Sequence, residues 1–519
     1  AGLHVSLISG FIYFCVARFW RLSSYLCLRF PAPKVAALAS MSGAIFYAAL
    51  AGFAIPTQRA IIMIVSFMLC QFMNRHTLPG QSLALALIIV LIWDPLAVFS
   101  PGFWLSFAAV SMIAYGMSGR VQLGGLFKKW MRLQMVVSVG VLPFTVLLFQ
   151  QASIIGLVAN FIAVPWVGHI VVPISLLATF NIGIQQDVAH ALYQLAAECM
   201  DVLWIVIHFL MKLPFSEFSQ AIPNPWIFIL VLIGVLVALS PSAWPSRWIG
   251  IFCLLPIGFY PFPKPLHGET WFHLLDVGQG LSAVIQTENH VLVFDTGPKF
   301  GPEFNAGDAV VIPFLHHYGI QEIDTVVLSH GDSDHSGGFQ SIQKQFPIHR
   351  VLTSVPKKFS GTNIYACEQG QQWWWDGIYF EMLYPSFDLP NNKMGNNRSC
   401  VLKITIGKNS ILLPGDIERT AEQVLVDRVS KQLASTILVA PHHGSKTSSS
   451  YGFVLNVKPR YVLFSVGYRN HFHFPNRDIV ARYERVGTRM YQTDETGALT
   501  FKLTKEEFLR EPERYRRQK

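Results

Sequence analysis

Ser329-His330-Gly331-Asp332-Ser333-Asp334-His335-Ser336-Gly337-Gly338 follows directly on the apolar run DTVVL (324–328). Two histidines and two aspartates within six residues can face one cavity only if the backbone turns tightly. Gly331, Gly337 and Gly338 permit that turn. A donor set that mixes imidazole with carboxylate suits Zn²⁺ or Mn²⁺ better than Ca²⁺. A lone Asp-His pair reads equally well as a polar turn whose aspartate caps a helix, so the surrounding chain decides. Outward from this stretch the same arrangement recurs: HVLVF (290–294) runs into Asp295, ILLPGD (411–416) ends in Asp416, and ILVAPHHGS (437–445) ends in His442 and His443. Four apolar strands, each ending in ligand-bearing residues, predict a β-rich scaffold that presents reactive side chains from its loops.

Only part of the chain carries this pattern. Of 519 residues, 52% are apolar and 14% charged, values far from those of an ordinary soluble domain. Residues 1–260 hold 12 basic and 5 acidic residues against 28 and 26 in the remainder, and 12 of the 17 histidines lie in that remainder. The first half reads as membrane and the second as water-soluble. A high net charge of +9 at pH 7 therefore reflects basic loops between apolar spans rather than a basic nucleic-acid-binding globule. Seven scattered cysteines without paired C-x-x-C spacing predict neither a disulfide framework nor a zinc ribbon. The start, Ala-Gly-Leu-His, lacks the basic segment and small-residue cleavage site of a signal peptide and reads as a boundary within a longer chain.

A helix crosses the hydrocarbon core with about 20 apolar residues, and ten spans are expected: 2–17, 35–54, 59–73, 81–99, 102–117, 133–150, 152–180, 190–211, 226–240 and 246–262. The seventh is too long for one straight helix and contains Gly156, Asn160, Pro165, Gly168 and Pro173, so a broken or re-entrant element lining a cavity is predicted there. Arg59 and Asn160 are costly inside spans and are pore-lining candidates. Arg18, Arg21, Arg29 and Lys34, then Arg75, then Arg120, Lys128, Lys129 and Arg132 make alternate loops basic, hence cytoplasmic. With ten spans, the chain after residue 262 emerges on the outer face of the cytoplasmic membrane. The prolines at 256, 261, 263 and 265 mark a boundary near residue 265, dividing the chain into 1–265 and 266–519.

The second half resembles a metallo-β-lactamase-fold domain, in DVGQG (276–280), DTG (295–297), SHGDSDHSGG (329–338), PGD (414–416) and PHHGS (441–445). With GLHVSLISG (2–10), PTQRA (56–60), GFWLSFAAV (102–110) and PFTVLLFQQASIIGLVANFIAVP (143–165), the whole chain is similar to the ComEC family of bacterial DNA-uptake channels. The resemblance implies a polytopic α-helical membrane domain followed by an αββα hydrolase. The first would pass one DNA strand inward during natural transformation, and the second would degrade the other strand. Implied partners are DNA, membrane lipid and other DNA-uptake machinery. The superfamily pattern His-x-His-x-Asp-His has Asp332 in place of its second histidine here, and the soluble domain that precedes the channel in full-length members is missing.

Phosphodiester hydrolysis calls for an activated water and neutralisation of the leaving oxygen, which two divalent ions, Mn²⁺ or Zn²⁺, can supply. His330 and Asp332 are assigned to one ion and Asp334, His335 and either His442 or His443 to the other, with Asp416 bridging; Asp334 and Asp416 are the catalytic candidates. Asp295 is assigned to orienting the histidines. Asn397 and Ser399 read as a plain loop, and Trp373-Trp374-Trp375 as core packing rather than a base platform. Lys446 and His473 are substrate-contact candidates against the alternative of solvated loop residues. The competing function is a membrane-anchored hydrolase of small phosphoesters or lactones, for which ten spans exceed what anchoring needs.

Overall fold

The computed structural model describes the chain except residue 1, 74–78, 118–124, 150, 214–217, 220–224, 241–245, 257–261, 303, 387–394, 507–510 and 516–519. Arg75 and Arg120 lie outside the described residues. Contacts divide the protein into two compact units, Ala1–Tyr260 and Pro261–Lys519.

The first unit is helical: α1 (Gly2–Trp20), α2 (Ser24–Arg29), α3 (Ala32–Leu50), α4 (Ile55–Phe72), α5 (Pro79–Trp93), α6 (Pro101–Met117), α7 (Leu126–Phe149), α8 (Ile154–Trp166), α9 (Val172–Asn181), α10 (Gln186–Met211), α11 (Pro225–Leu239) and the short α12 (Ile249–Phe252). Among the described residues, five stretches are long and apolar enough to cross a membrane: Ala32–Leu50, Ile55–Phe72, Phe127–Phe149, Ile155–Asn181 and Gln186–Met211. Their outward faces carry Phe180, Ile205 and Phe209, each more than half exposed. That is the reverse of a soluble bundle, whereas the packed faces are small. On α3 the residues Ala36, Ser40, Ala44 and Ala48, four apart, are fully buried, and the Ser40 and Ser9 hydroxyls meet at 2.5 Å between α3 and α1. In lipid, close packing of small residues and interhelical hydrogen bonds replace the hydrophobic drive. This unit is a multi-pass membrane domain.

Two expectations fail here. The seventh predicted span is not broken: it is one continuous helix, Ile155–Asn181, in which a π-turn at Val167–Val171 joins α8 to α9. Pro165 and Pro173 each lack an N–H, and the wider turn between them, closed by Val172 N–H on Val167 O, absorbs the mismatch without breaking the chain. The tenth predicted span, 246–262, is not one continuous helix among the described residues: α12 ends at Phe252 and a turn follows. Counting ten crossings therefore no longer fixes which side the second unit occupies.

Between the helices, β1 (Gln151–Ala152) pairs with β2 (Phe218–Ser219). The second unit is built on two sheets. One runs β17-β16-β3-β4-β5-β6-β7-β8, with β3 Thr270–Leu274, β4 Ala283–Gln286, β5 Val291–Phe294, β6 Ile323–Leu328, β7 Ile348–Thr353, β8 Ile364–Ala366, β16 Leu499–Leu503 and β17 Glu513–Arg514. The other runs β15-β14-β13-β12-β11-β10-β9, with β9 Gln372–Trp375, β10 Ile378–Tyr384, β11 Val401–Ile406, β12 Asn409–Leu413, β13 Ile437–Val439, β14 Tyr461–Phe464 and β15 Arg489–Gln492. Alternate residues of the facing strands, among them Phe272, Phe294, Phe380, Ile404 and Ile411, fill one core between the sheets. The opposite faces are covered by helices, including Arg419–Leu433 against the second sheet and Phe339–Gln345 against the first. Strands β5–β6 and β12–β13–β14 are parallel, so their carboxyl ends gather side by side, where parallel sheets place their ligand loops. Trp373 and Trp375 pack against the core, while Trp374 is exposed beside Tyr379.

One disulfide was not anticipated: Cys367 pairs with Cys400. An odd cysteine count hides a single pair when the other five are free and lie in the membrane unit.

Candidate metal centre

Each ligand-bearing residue stands just beyond a strand end. Asp295 follows β5 with a positive φ of 56°, and its carboxylate faces the turn after β6. It accepts Ser329 N–H at 2.7 Å on Oδ1. Its Oδ2 takes the Ser329 hydroxyl at 2.7 Å and His335 Nδ1 at 2.7 Å. His330 and Asp332 follow β6, and Asp334 and His335 lie on the one-turn helix Ser333–Ser336. The two glycines that close this turn are needed for space rather than for unusual dihedrals. A Cβ on Gly337 would stand 2.3 Å from Lys299 N, and one on Gly338 2.4 Å from Thr296 O.

From the second sheet, Asp416 follows β12 and the His442–His443 pair follows β13, both histidines at positive φ. Their strained backbone turns the two rings in different directions. His443 is buried, its Nδ1 on the Ser465 carbonyl at 2.8 Å. Because a carbonyl only accepts, Nδ1 carries the proton and Nε2 offers a lone pair. His442 instead directs Nδ1 to the Thr447 hydroxyl at 3.2 Å and to Glu418 at 3.4 Å.

Four residues converge: Asp334, His335, Asp416 and His443 each bring one ligand atom, all within 4.8 Å of one another. His335 Nε2 lies 3.2 Å from His443 Nε2 and 3.0 Å from Asp416 Oδ1. His443 Nε2 lies 3.5 Å from both Asp334 and Asp416. Two imidazole lone pairs pointing at each other, both held in place from behind and flanked by carboxylates, call for a cation between them. The donor set therefore fits a divalent metal. The charges of the four residues are strongly coupled. Burial disfavours charge on Asp416, yet His335 and His443 hold its carboxyl well below the usual range. Burial likewise opposes charge on His335, but Asp416 and Asp295 raise its imidazole well above its ordinary value. Asp334 is lowered, against its burial, by the nearby His443 and the charge of His335.

Around this group stand the other sequence candidates. His330 is buried, its Nδ1 3.0 Å from the Ser329 hydroxyl. Its Nε2 has no hydrogen-bond partner and lies 3.5 Å from Asp332 Oδ2. A buried imidazole nitrogen without a hydrogen-bond partner, beside a carboxylate, fits a second ion, and the nearby His330 ring holds the Asp332 carboxyl below its usual range. His442 stands outside the four-residue group, Nε2 3.9 Å from Asp416, so of the paired histidines the structure turns His443, not His442, into the cluster. Lys446 and His473 are exposed in the loops after β13 and β14 and touch none of the ligands in the described contacts. Asn397 and Ser399 are not a plain loop. Asn397 Oδ1 accepts Glu418 N–H at 3.0 Å, and Ser399 Oγ accepts Asp416 N–H at 3.2 Å. Ser329, missed by sequence reading, contacts Asp295, His330 and His335 together; its place immediately before His330 was the available signal. In the membrane unit Arg59 is buried against Gly102, and Asn160 is exposed.

A second group, His267, Glu288 and Asp376, also lies close. There Asp376 already accepts from Thr287, Asn289 and His290, which makes it a loop anchor.

A multi-pass helical unit joined to a two-sheet hydrolase unit with a His/Asp metal cluster defines the class: a membrane protein carrying a metallo-β-lactamase superfamily domain. Family models agree, with the competence protein model matching residues 1–245 and the metallo-β-lactamase superfamily model residues 275–465. Competence protein ComA of Neisseria gonorrhoeae is 32% identical over 97% of this chain and 70% of its own length. Recombination protein 2 of Haemophilus influenzae is 30% identical over 96% of this chain and 66% of its own. For ComE operon protein 3 of Bacillus subtilis the values are 24%, 97% and 67%. The chain belongs to the competence protein family.

Proposed function

We propose that this protein is the membrane component of bacterial DNA uptake, passing one strand inward, and that its hydrolase unit is a metal-dependent DNase acting on the other strand. The observation that carries the hydrolytic part is the convergence of Asp334, His335, Asp416 and His443 behind a competence-type membrane unit. Those four would hold one ion, Mn²⁺ or Zn²⁺, and His330 with Asp332 a second; bound there, the pair would supply an activated water and neutralise charge on the leaving oxygen. The chain's own residues do the orienting. Asp295 fixes the Nδ1 proton of His335, and the Ser465 carbonyl fixes that of His443, leaving the two Nε2 atoms facing each other. Lys446 and His473 are the residues we assign to phosphate contact outside the cluster. We assign the hydrolase to the outer face of the membrane. Support comes from the Cys367–Cys400 disulfide, because disulfides persist in oxidising compartments.

The test is detergent-purified chain incubated with plasmid, single-stranded DNA and generic esters in Mn²⁺ or Zn²⁺. DNA cleavage that stops on chelation is expected. Efficient ester or lactone hydrolysis with intact DNA would instead make the unit a small-molecule hydrolase.

A further inference from the structure

Cys367 follows β8 on the edge of the first sheet, and Cys400 precedes β11 in the interior of the second. Their bond, with Cα atoms 6.0 Å apart and both residues buried, staples the two sheets at the end where the ligands gather. Cys400 N–H donates to the Ser329 carbonyl at 2.8 Å, and Ser329 in turn anchors Asp295 and contacts His330 and His335. The neighbouring Ser399 accepts Asp416 N–H. Gly415 is wedged between the two serines, with room for no side chain: a Cβ there would stand 2.8 Å from Ser329 Cβ and 2.9 Å from Ser399 Cβ. Residues 399 and 400 thus form the contact through which the Asp295–Ser329–His335 group of one sheet meets the Asp416 loop of the other. On the first-sheet side, Cys367 N–H is held by the Thr353 carbonyl at the end of β7.

From this geometry we infer that the Cys367–Cys400 disulfide is a positioning element of the metal centre: the intact bond holds both halves of the ligand set in register, and its reduction releases the metal without unfolding the domain. The inference rests on the metal-centre part of the function proposed above and is independent of what the enzyme cleaves. Reduction breaks the S–S bond, takes up two electrons and two protons to give two thiols, and oxidises an added dithiol to its cyclic disulfide. The fold should persist because the two cysteines are only two members of the core between the sheets, which also holds Phe272, Phe294, Phe380, Ile404 and Ile411. The ligands should not stay in register, since displaced supporting contacts cost metal affinity about 10–100-fold.

Full-length protein in detergent, oxidised or reduced with excess dithiothreitol and alkylated, would be titrated with Co²⁺, whose absorption reports ligand geometry; circular dichroism follows the fold. Co²⁺ affinity is expected to fall at least about tenfold on reduction, with the dichroism unchanged, and to return when a reduced, unalkylated sample is reoxidised. A chain with Cys367→Ala and Cys400→Ala should bind as weakly as reduced protein and respond no further to reductant, which separates this pair from the five free cysteines. Equal affinity in oxidised and reduced chains overturns the inference and leaves the metal centre standing. Loss of dichroism on reduction overturns it too, showing a bond that only holds the fold. Failure of the oxidised chain to bind Co²⁺ overturns the metal centre and the inference together.

Discussion

His442 and His443 are adjacent and chemically identical, and the structure separates them by what each Nδ1 contacts. If the buried Nε2 of His443 is the ligand, His443→Ala should lower metal affinity more than Asp295→Asn, which removes only an orienting contact and should cost about 10–100-fold. His442→Ala should leave affinity near that of the parent; isothermal titration of the three variants checks the order. Sequence reading found the strand-end aspartates and histidines because each follows an apolar run. It could not choose between His442 and His443, since that depends on Ser465 and Glu418, brought in from loops elsewhere in the chain, as well as on the nearby Thr447. A residue outside the site gives a pH prediction. His273 on β3 is fully buried, its Nδ1 2.8 Å from Thr500 Oγ1, and burial pushes its imidazole down to about 3. Below about pH 6.5 the unfolded chain takes up a proton that the folded chain refuses. Stability is therefore full above pH 6.5 and falls with acidification, by about 2 kcal/mol at pH 5. Thermal denaturation of the hydrolase unit between pH 7 and 5 should show this decline, and His273→Gln should flatten it.

At the scale of elements, the helix Ile155–Asn181 shows where apolar periodicity stops being informative. Its two prolines and two glycines predict interruption, and only tertiary packing decides between a break and the observed π-turn. The other helix positions were legible because length and apolarity alone specify a span, whereas the short α12 depends on Gly234 and Gly250 packing closely, a contact no window can read. Beside the start of that long helix lies a cavity of about 470 Å³, lined by Ser153, Gly156 and Ala159 on one side and Ile207, Leu210 and Met211 of α10 on the other. Ala159 borders it, and its neighbour Asn160 is exposed. If this cavity belongs to the DNA path, Ala159→Trp should fill it and strongly reduce uptake of labelled DNA while hydrolysis by purified protein stays at the parental level. Asn160→Trp, one position off the lining, should impair uptake less. Normal uptake by both would remove the segment from the path.

Across the whole molecule the open question is which side of the membrane holds the hydrolase, and the loop charges no longer answer it once the tenth span is not a continuous helix. The disulfide gives a separate line of reasoning. In a reducing cytoplasm the pair would be kept as thiols, whereas in the oxidising exterior it closes a 33-residue separation, worth about 3–4 kcal/mol in chain entropy. Lys299 lies on an exposed turn after β5 and offers a reporter. In a chain whose five free cysteines are replaced by serine, Lys299→Cys should react with a membrane-impermeant maleimide in intact spheroplasts. Cys367 and Cys400 should stay unreactive until a reductant is added. If Lys299→Cys is protected until lysis, and the pair in the same sample labels without reductant, the hydrolase faces the cytoplasm. Duplex DNA arriving from outside would then never reach Asp334 and Asp416 before transport, and degradation of the second strand would have to be assigned to another protein.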